Sequence, residues 1–310
     1  MVRAESKIVK TQSGPQEICR FAERPIRNPF LRGQVSMVPK PFDARARSFL
    51  LLAPSRRAVP SGYEMVDTDP RRHQRLMAEM QRLRGRIYLE DGAIAPDQLS
   101  GSRHQLEVDE GSWHLLIVDQ HERVCGCARY REYPNTASYN RLTVARSALA
   151  RCRDHGHRLK KSVNAELELA RHLDLPYVEL GGWALDISIR GTSDALRMAM
   201  STYALSQSLG GGVGVSTVTQ RHSSSSILRR LGGRVFEWDG AELPPYYDPE
   251  YRCGMEVLKF YSWSPNPRYE DWVVGMKSAL RRTPVVCGGG PSAWQPPAPG
   301  QLALPAPGPS

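Results

Sequence analysis

The stretch YVELGGWAL (residues 177–185), followed by DISIRGTSDA (residues 186–195), decides the fold of this chain. The first part has the short apolar character of a strand, and the second is a turn that leads directly into a long helical pattern. A turn of small residues that opens a helix presents free backbone N–H groups, where the helix dipole favours an anion. Arg190 adds a guanidinium fork suited to phosphate. The sequence therefore predicts an anion-binding loop between a strand and a helix.

Regular patterns extend on both sides of this stretch. Asp69 and Pro70 form a typical helix start, and apolar residues then recur at helical spacing from Leu76 to Ile87. The predicted elements that follow are a hairpin at 115–130, a basic helical segment at 142–173, strands at 177–185, 213–218 and 257–261, and helices at 193–209 and 223–231. This order predicts one α/β domain with a mixed central sheet flanked by helices.

The two ends of the chain differ from this central part. Residues 1–60 are rich in Arg and Pro without a sustained period, and residues 284–310 are mostly Pro, Gly, Ala and Ser. We therefore predict a basic, loosely ordered leader at 1–60, a folded domain at 61–283 and a disordered tail at 284–310.

The charge distribution argues against nucleic-acid binding. Of the net charge of +10, residues 1–60 carry +8, with 12 basic and 4 acidic side chains, so the predicted domain is close to neutral. No run of about 18 apolar residues exists and the N-terminus has no signal-peptide pattern, so we expect a cytoplasmic protein without a transmembrane segment. Cys125 and Cys127 form a close pair without a second pair at ligand spacing, so no metal site is predicted.

The loop and its context resemble those of the GNAT superfamily of acyl-CoA-dependent N-acyltransferases. The family's phosphate loop, Arg/Gln-x-x-Gly-x-Gly/Ala, is matched by residues 190–195, with Ser193 where Gly is usual. The resemblance implies a GNAT-like fold in which the central strand and this loop hold the acyl donor. The implied donor-binding residues are Trp183, Ala184, Leu185, Arg190, Gly191, Thr192, Ser193, Asp194 and Ala195.

A narrower resemblance covers residues 71–190 and points to N-acyl amino acid synthases and, more distantly, to acyl-homoserine-lactone synthases. Its motifs are the family's Arg-x-x-Val-Phe element, which residues 84–88 resemble as Arg-Gly-Arg-Ile-Tyr, an acidic residue at Asp109, and Gly-x-x-Arg ending at Arg129. These families also carry Glu-x-x-Arg on the central strand, where this chain has Glu179 but Gly182 in place of Arg. The resemblance implies that Arg84, Asp109 and Arg129 form a polar acceptor pocket, in which an Arg would bind a carboxylate bidentately. The alternative for each of them is an ordinary surface or packing role.

Two residues are candidates for proton transfer. Glu179 is the candidate general base, and the alternative is a buried structural network with Arg84 or Arg129. Leu228 aligns with the position where many GNAT enzymes carry a Tyr acid, so His222 is an alternative acid, unless it is an ordinary capping or surface histidine.

The expected function is therefore transfer of an acyl group, with a fatty acyl group favoured, from a CoA or acyl-carrier-protein thioester to the amine of an amino acid or similar small molecule, with no permanently bound cofactor. The alternative is a GNAT-fold module that binds acyl-CoA without chemistry. The basic run Arg146–Lys161 has two interpretations, a docking surface for an acidic carrier protein or a solvated helix face. A nucleic-acid or partner-binding role would use residues 1–60.

Overall fold

A central sheet flanked by helices organises the computed structural model, which describes residues 47–55 and 57–289. The strands are β1 (Arg47–Leu52), β2 (Val66–Thr68), β3 (Trp113–Asp119), β4 (Val124–Tyr133), β5 (Tyr177–Leu185), β6 (Val213–Thr219), β7 (Arg234–Val235), β8 (Glu237–Trp238), β9 (Ala241–Glu242), β10 (Tyr246–Asp248), β11 (Cys253–Tyr261) and β12 (Val285–Cys287). The helices are α1 (Pro70–Glu90), α2 (Ala148–Arg151), α3 (Gly156–His172), α4 (Ser193–Ser208), α5 (Ser224–Arg230) and α6 (Glu270–Arg281). The predicted mixed α/β architecture is confirmed.

The sheet is mixed and runs in the order β10-β11-β6-β5-β4-β3-β1-β12-β2, with β7 also paired to β11. The β5–β6, β1–β12 and β12–β2 pairs are parallel, and the other pairs are antiparallel. The parallel register of β5 and β6 ends at Leu180 opposite Ser216. Because β5 stays paired with β4 to Leu185 and β6 stays paired with β11 to Thr219, the two strands diverge beyond that point. The gap between the diverging ends of β5 and β6 is called the wedge below. It leaves the edge of β5 unpaired beyond Leu180.

Helix α1 begins where the sequence predicts it. The Asp69 carboxylate accepts hydrogen bonds from the N–H groups of Arg71 and Arg72, and Pro70 occupies the first helical position. The predicted apolar stripe is buried against the sheet and comprises Leu76, Met80, Leu83 and Ile87.

The helices cover both faces of the sheet. Along β4, Cys127 packs in the core beneath α1 and Tyr133 in the core beneath α3, while Tyr130 packs with α4 and α6. Successive strand residues point to opposite faces, so α1 and α3 lie on one face and α4 and α6 on the other.

Three sequence-based boundaries differ from the structure. Residues 142–173 form a 3-10 turn at Thr143–Arg146, then α2 and α3, rather than one continuous helix. Strand β1 lies within the predicted leader and β12 within the predicted tail, and the two pair with each other in parallel. Short strands that are completed by such a distant partner give no local periodicity, so the ordered domain extends past both predicted limits. Residues 1–46 and 290–310, where the rest of the leader and tail would lie, are outside the described residues.

Two glycine substitutions test the packing with opposite expected signs. A Cβ at Gly214 would overlap the buried ring of Phe260, whereas a Cβ at Gly275, on the exposed face of α6, would have no heavy atom within 4 Å. Gly214→Ala should therefore lower the free energy of unfolding by about 1–3 kcal/mol, and Gly275→Ala should raise it by up to about 1 kcal/mol. Urea denaturation of both variants measures this, and equal effects would contradict the assigned packing.

Candidate active site

The open edge of β5 carries the three residues predicted to hold the donor arm. Ala184 and Leu185 pair with β4 opposite Cys127 and Gly126, and all three residues lie beyond the last contact with β6. The Trp183 carbonyl accepts a hydrogen bond from the Tyr88 hydroxyl at 3.3 Å, so the end of α1 lies beside this edge. The backbone of this segment is therefore free of strand pairing on the β6 side.

The loop after β5 has the conformation of a helix-opening turn. Gly191 has a φ of +72°, which glycine tolerates without strain, and an added Cβ there would meet no atom within 4 Å. The Thr192 hydroxyl caps α4, accepting from the Asp194 N–H at 3.2 Å and donating to the Ile189 carbonyl at 2.7 Å. The N–H groups of Ser193 and Ala195 have no acceptor in the part of the chain that the structure describes. Unpaired N–H groups at the start of a helix are suited to an anion, as the sequence predicts for this loop.

The carboxylate of Asp194 does not oppose an anion at this loop. It is buried and lies 3.2 Å from the Arg47 guanidinium of β1. Its charge is therefore compensated within the fold.

Arg190, predicted to bind phosphate, is already engaged. Its two terminal nitrogens donate to the two carboxylate oxygens of Asp91 at 3.0 Å each, and its Nε donates to the Leu185 carbonyl at 3.1 Å. Asp91 also lies 3.2 Å from His222 Nε2, and its backbone carbonyl accepts from Arg221. Sequence reasoning missed Asp91, although a carboxylate at a helix C-terminus is electrostatically unfavourable and signals a need for cations.

Arg84 and Asp109 form a fully buried bidentate pair on the α1 side of the sheet. The two nitrogen–oxygen distances are 3.0 and 2.6 Å, and Arg84 also donates from Nε to His104 Nδ1 at 3.2 Å. Burial alone would raise the pKa of Asp109, but the hydrogen bonds and charge of Arg84 outweigh it and hold this pKa at about 2. Arg84 also donates to the His104 carbonyl, and Asp109 also accepts from Gln81 and from the Leu106 N–H. Because both side chains are buried and engaged within the protein, they form rigid packing beneath the site rather than a surface for a ligand.

Arg129 is the member of the predicted pocket with free donors. Its side chain is 6 % exposed, and its Nε and Nη1 have no hydrogen-bond partner among the described residues. A Cβ at Gly181 would lie 3.1 Å from Arg129 Nη2, and one at Gly182, which has a φ of +61°, would lie 3.3 Å from Arg84 Nη1. The two glycines of β5 therefore make room for both guanidinium groups.

Glu179, the candidate general base, has neither Arg84 nor Arg129 as a hydrogen-bond or ion-pair partner in the described part of the chain. Its carboxylate accepts from the Tyr133 hydroxyl at 2.6 Å and from the N–H groups of Thr143 and Val144 at 2.9 Å. These bonds fix the 3-10 turn that interrupts the predicted helix at 142–173. Burial, assisted by the Glu179 charge, raises the pKa of Tyr133 to about 12, so this hydroxyl stays protonated.

The position that aligns with the GNAT acid and the alternative acid differ in exposure. Leu228 is buried in the core beside α4, and His222 is 53 % exposed and held by Asp91. His222 adopts a left-handed backbone with a φ of 52°, as does Ser223 after it. Such conformations are costly for residues other than glycine and occur often at functional sites.

Other surface features lie apart from these residues. A groove of about 710 Å³ between α1, the β3–β4 turn and residues 186–188 is lined by none of the predicted site residues. The basic segment is solvent-exposed at Arg146, Arg151, Arg153, Lys160 and Lys161. Of the helices within the described ranges, none combines the length and apolar character needed to cross a bilayer, and no cluster of three or more potential ligand side chains there suits a metal ion.

Solved structures similar to this one include acyltransferases of the predicted kinds. A CoA-dependent acyl-homoserine lactone synthase, BjaI, has a TM-score of 0.47 and 12% identity, covering 80% of this chain and 95% of its own. FeeM, an N-acyl amino acid synthase from uncultured soil microbes, has a TM-score of 0.40 and 11% identity, covering 74% and 94%. Arylalkylamine N-acetyltransferase 2 from Aedes aegypti has a TM-score of 0.37 and 13% identity, covering 62% and 96%.

No protein-family model matches the chain, and no curated protein matches it. The likeness to these solved structures, at 11–13% identity, is one of fold.

The buried histidines of this site make stability depend on pH. Burial lowers the pKa of both His104 and His114 to about 4, well below the ordinary value of 6.5. The free energy of unfolding is therefore highest with respect to these histidines above pH 6.5. It falls as the pH drops toward 4, because the unfolded chain binds the protons first. Between pH 7 and pH 5 we expect each histidine to lower the free energy of unfolding by about 2 kcal/mol.

Chemical denaturation at several pH values measures this loss. In His104→Asn and His114→Asn variants the decline between pH 7 and 5 should be shallower. The exposed His121, replaced in the same way, provides the control. An unchanged slope in both buried-site variants would contradict the assignment.

Proposed function

We propose that this protein is an N-acyltransferase that moves an acyl group from a CoA or acyl-carrier-protein thioester to the amine of a small molecule bearing a carboxylate, such as an amino acid. The observation that supports it most is the buried guanidinium of Arg129, with two free N–H donors, beside the open edge of β5. A buried charge without a partner is unfavourable by several kcal/mol, and a bidentate carboxylate would relieve that cost.

The donor half of the proposal uses the wedge and the loop that follows it. A thioester arm lying along residues 181–185 would form backbone hydrogen bonds in place of the missing β6 partner. The N–H groups of Ser193 and Ala195 would receive its phosphate oxygens. A free backbone N–H near Trp183 would polarise the thioester carbonyl as negative charge develops on its oxygen.

The reaction forms a carbon–nitrogen bond and breaks the carbon–sulfur bond of the thioester. The attacking amine must first lose its ammonium proton, and the departing thiolate must gain one. Positioning both reactants supplies much of the rate enhancement. The acid role falls to His222 or to water, since Leu228 has no hydroxyl. Glu179, with its oxygens engaged, serves mainly as a positioning residue that fixes the turn at 143–146.

A non-catalytic acyl-CoA-binding module is the second candidate. The observation that favours it is the engagement of Glu179 by three donors, which leaves neither oxygen of this carboxylate free to act as a base. Turnover separates the two candidates, because both predict donor binding and only the enzyme consumes thioester.

A thioester-release assay with acyl-CoA and acyl-carrier protein tests the function. We expect turnover with amino acids and far less with the matching amines that lack the carboxylate. Arg129→Met should raise the KM for the amino acid about 10- to 100-fold because the carboxylate loses its bidentate partner, while the KM for the thioester stays unchanged. Arg123→Met, at an exposed position, is the matched control. Equal use of both kinds of amine, or an unaffected Arg129→Met enzyme, would contradict the acceptor assignment.

Glu179→Gln separates anchoring from base catalysis. As an anchor, Glu179 should cost about 1–3 kcal/mol of folding stability when its charge is removed, with kcat changed only modestly. If Glu179 is instead a general base, Glu179→Gln should lower kcat about 100-fold or more and alter the pH profile. Glu168→Gln, on the exposed surface of α3, controls for the loss of one negative charge.

A further inference from the structure

Asp91 contacts the segments that follow the two strands bordering the wedge. Arg190 follows β5, whereas Arg221 and His222 follow β6, and all three contact Asp91 at the end of α1. One acidic residue thus connects the segments that leave the two diverging strands. Its contacts lie where the strands have separated.

The fork of Arg190 can hold one oxyanion at a time. Both of its terminal nitrogens are used by Asp91, and its Nε is used by the Leu185 carbonyl. A phosphate that binds this fork bidentately must displace the Asp91 carboxylate. Once displaced, the carboxylate leaves the Arg190 guanidinium and the His222 imidazole facing the incoming anion, whereas Arg221 stays bonded to the backbone carbonyls of Asp91 and Arg252.

The cost of displacement is set by local electrostatics. Asp91 sits at the negative end of the α1 dipole, so its carboxylate depends on the guanidinium of Arg190 for stabilisation. The Asp91 carboxylate is largely buried, and Arg190 and His222 are partly buried. The contacts that a phosphate must displace are therefore stronger than those of a fully exposed ion pair.

We propose that the Asp91 carboxylate competes with the donor's phosphate for the guanidinium of Arg190 and so sets the affinity for thioesters carrying a diphosphate. This competing contact, at the open end of the wedge, is called the latch below. This inference rests on the donor site of the proposed function. Removing the carboxylate frees Arg190 and strengthens diphosphate binding, whereas ligands without phosphate are indifferent to it.

Calorimetric titration of the full chain with coenzyme A and with pantetheine, which has the same arm without phosphate, tests the latch. Asp91→Asn should lower the Kd for coenzyme A about fivefold and leave binding of pantetheine unchanged. Adding Arg190→Met to Asp91→Asn should abolish the gain. Glu90→Gln removes the neighbouring, exposed charge of α1 and should change the Kd less than about twofold.

The variants are expected to fold, because the cap at Asp91 uses its backbone N–H and not its carboxylate. Asp91→Ser provides a second neutral replacement if Asn lowers the melting temperature. If the wild type binds coenzyme A and neither replacement tightens it, the latch is wrong and the donor site stands. If neither the wild type nor the variants bind coenzyme A, the latch fails together with the donor site. Binding that appears only in the variants would support the latch.

Discussion

The early end of the pairing between β5 and β6 is the constraint on which the rest of the site depends. Four residues of each strand are in register, and then β5 follows β4 while β6 follows β11. Two strands that separate within a sheet leave backbone groups that need other partners. In this protein the end of α1 lies beside that gap, through Tyr88 on the β5 edge and Asp91 between the two emerging loops.

Charge compensation differs among the buried charged residues of the candidate site. Arg84 and Asp109 form a bidentate ion pair in the interior, and Asp194 forms an ion pair with Arg47. Arg129 has the same degree of burial as many core residues but retains free donors. Among the described residues, Arg129 combines a buried guanidinium with two N–H donors that lack a partner, and a bound carboxylate would supply one; this is the physical basis of the proposed acceptor assignment.

Local patterns predicted the elements, and distant contacts decided the site. The Asp69 cap and the apolar stripe of α1 are short-range features, so the sequence predicts that helix accurately. The strand that carries Glu179 and the loop at Arg190 were also predicted, but their partners lie far along the chain. Asp91 is 99 positions from Arg190, and Glu179 binds a turn 35 residues before it. Periodicity carries no information about such pairs, so the sequence does not predict the contacts that Arg190 and Glu179 make in the structure.

Backbone amide chemical shifts on titration with coenzyme A provide the most direct test of the wedge as the donor site. Binding between the diverging strands predicts shifts concentrated at residues 181–185, 189–195 and 217–222. Shifts concentrated instead at the 710 Å³ groove, around Glu79, Arg82 and Arg123, would place the ligand elsewhere and contradict the account.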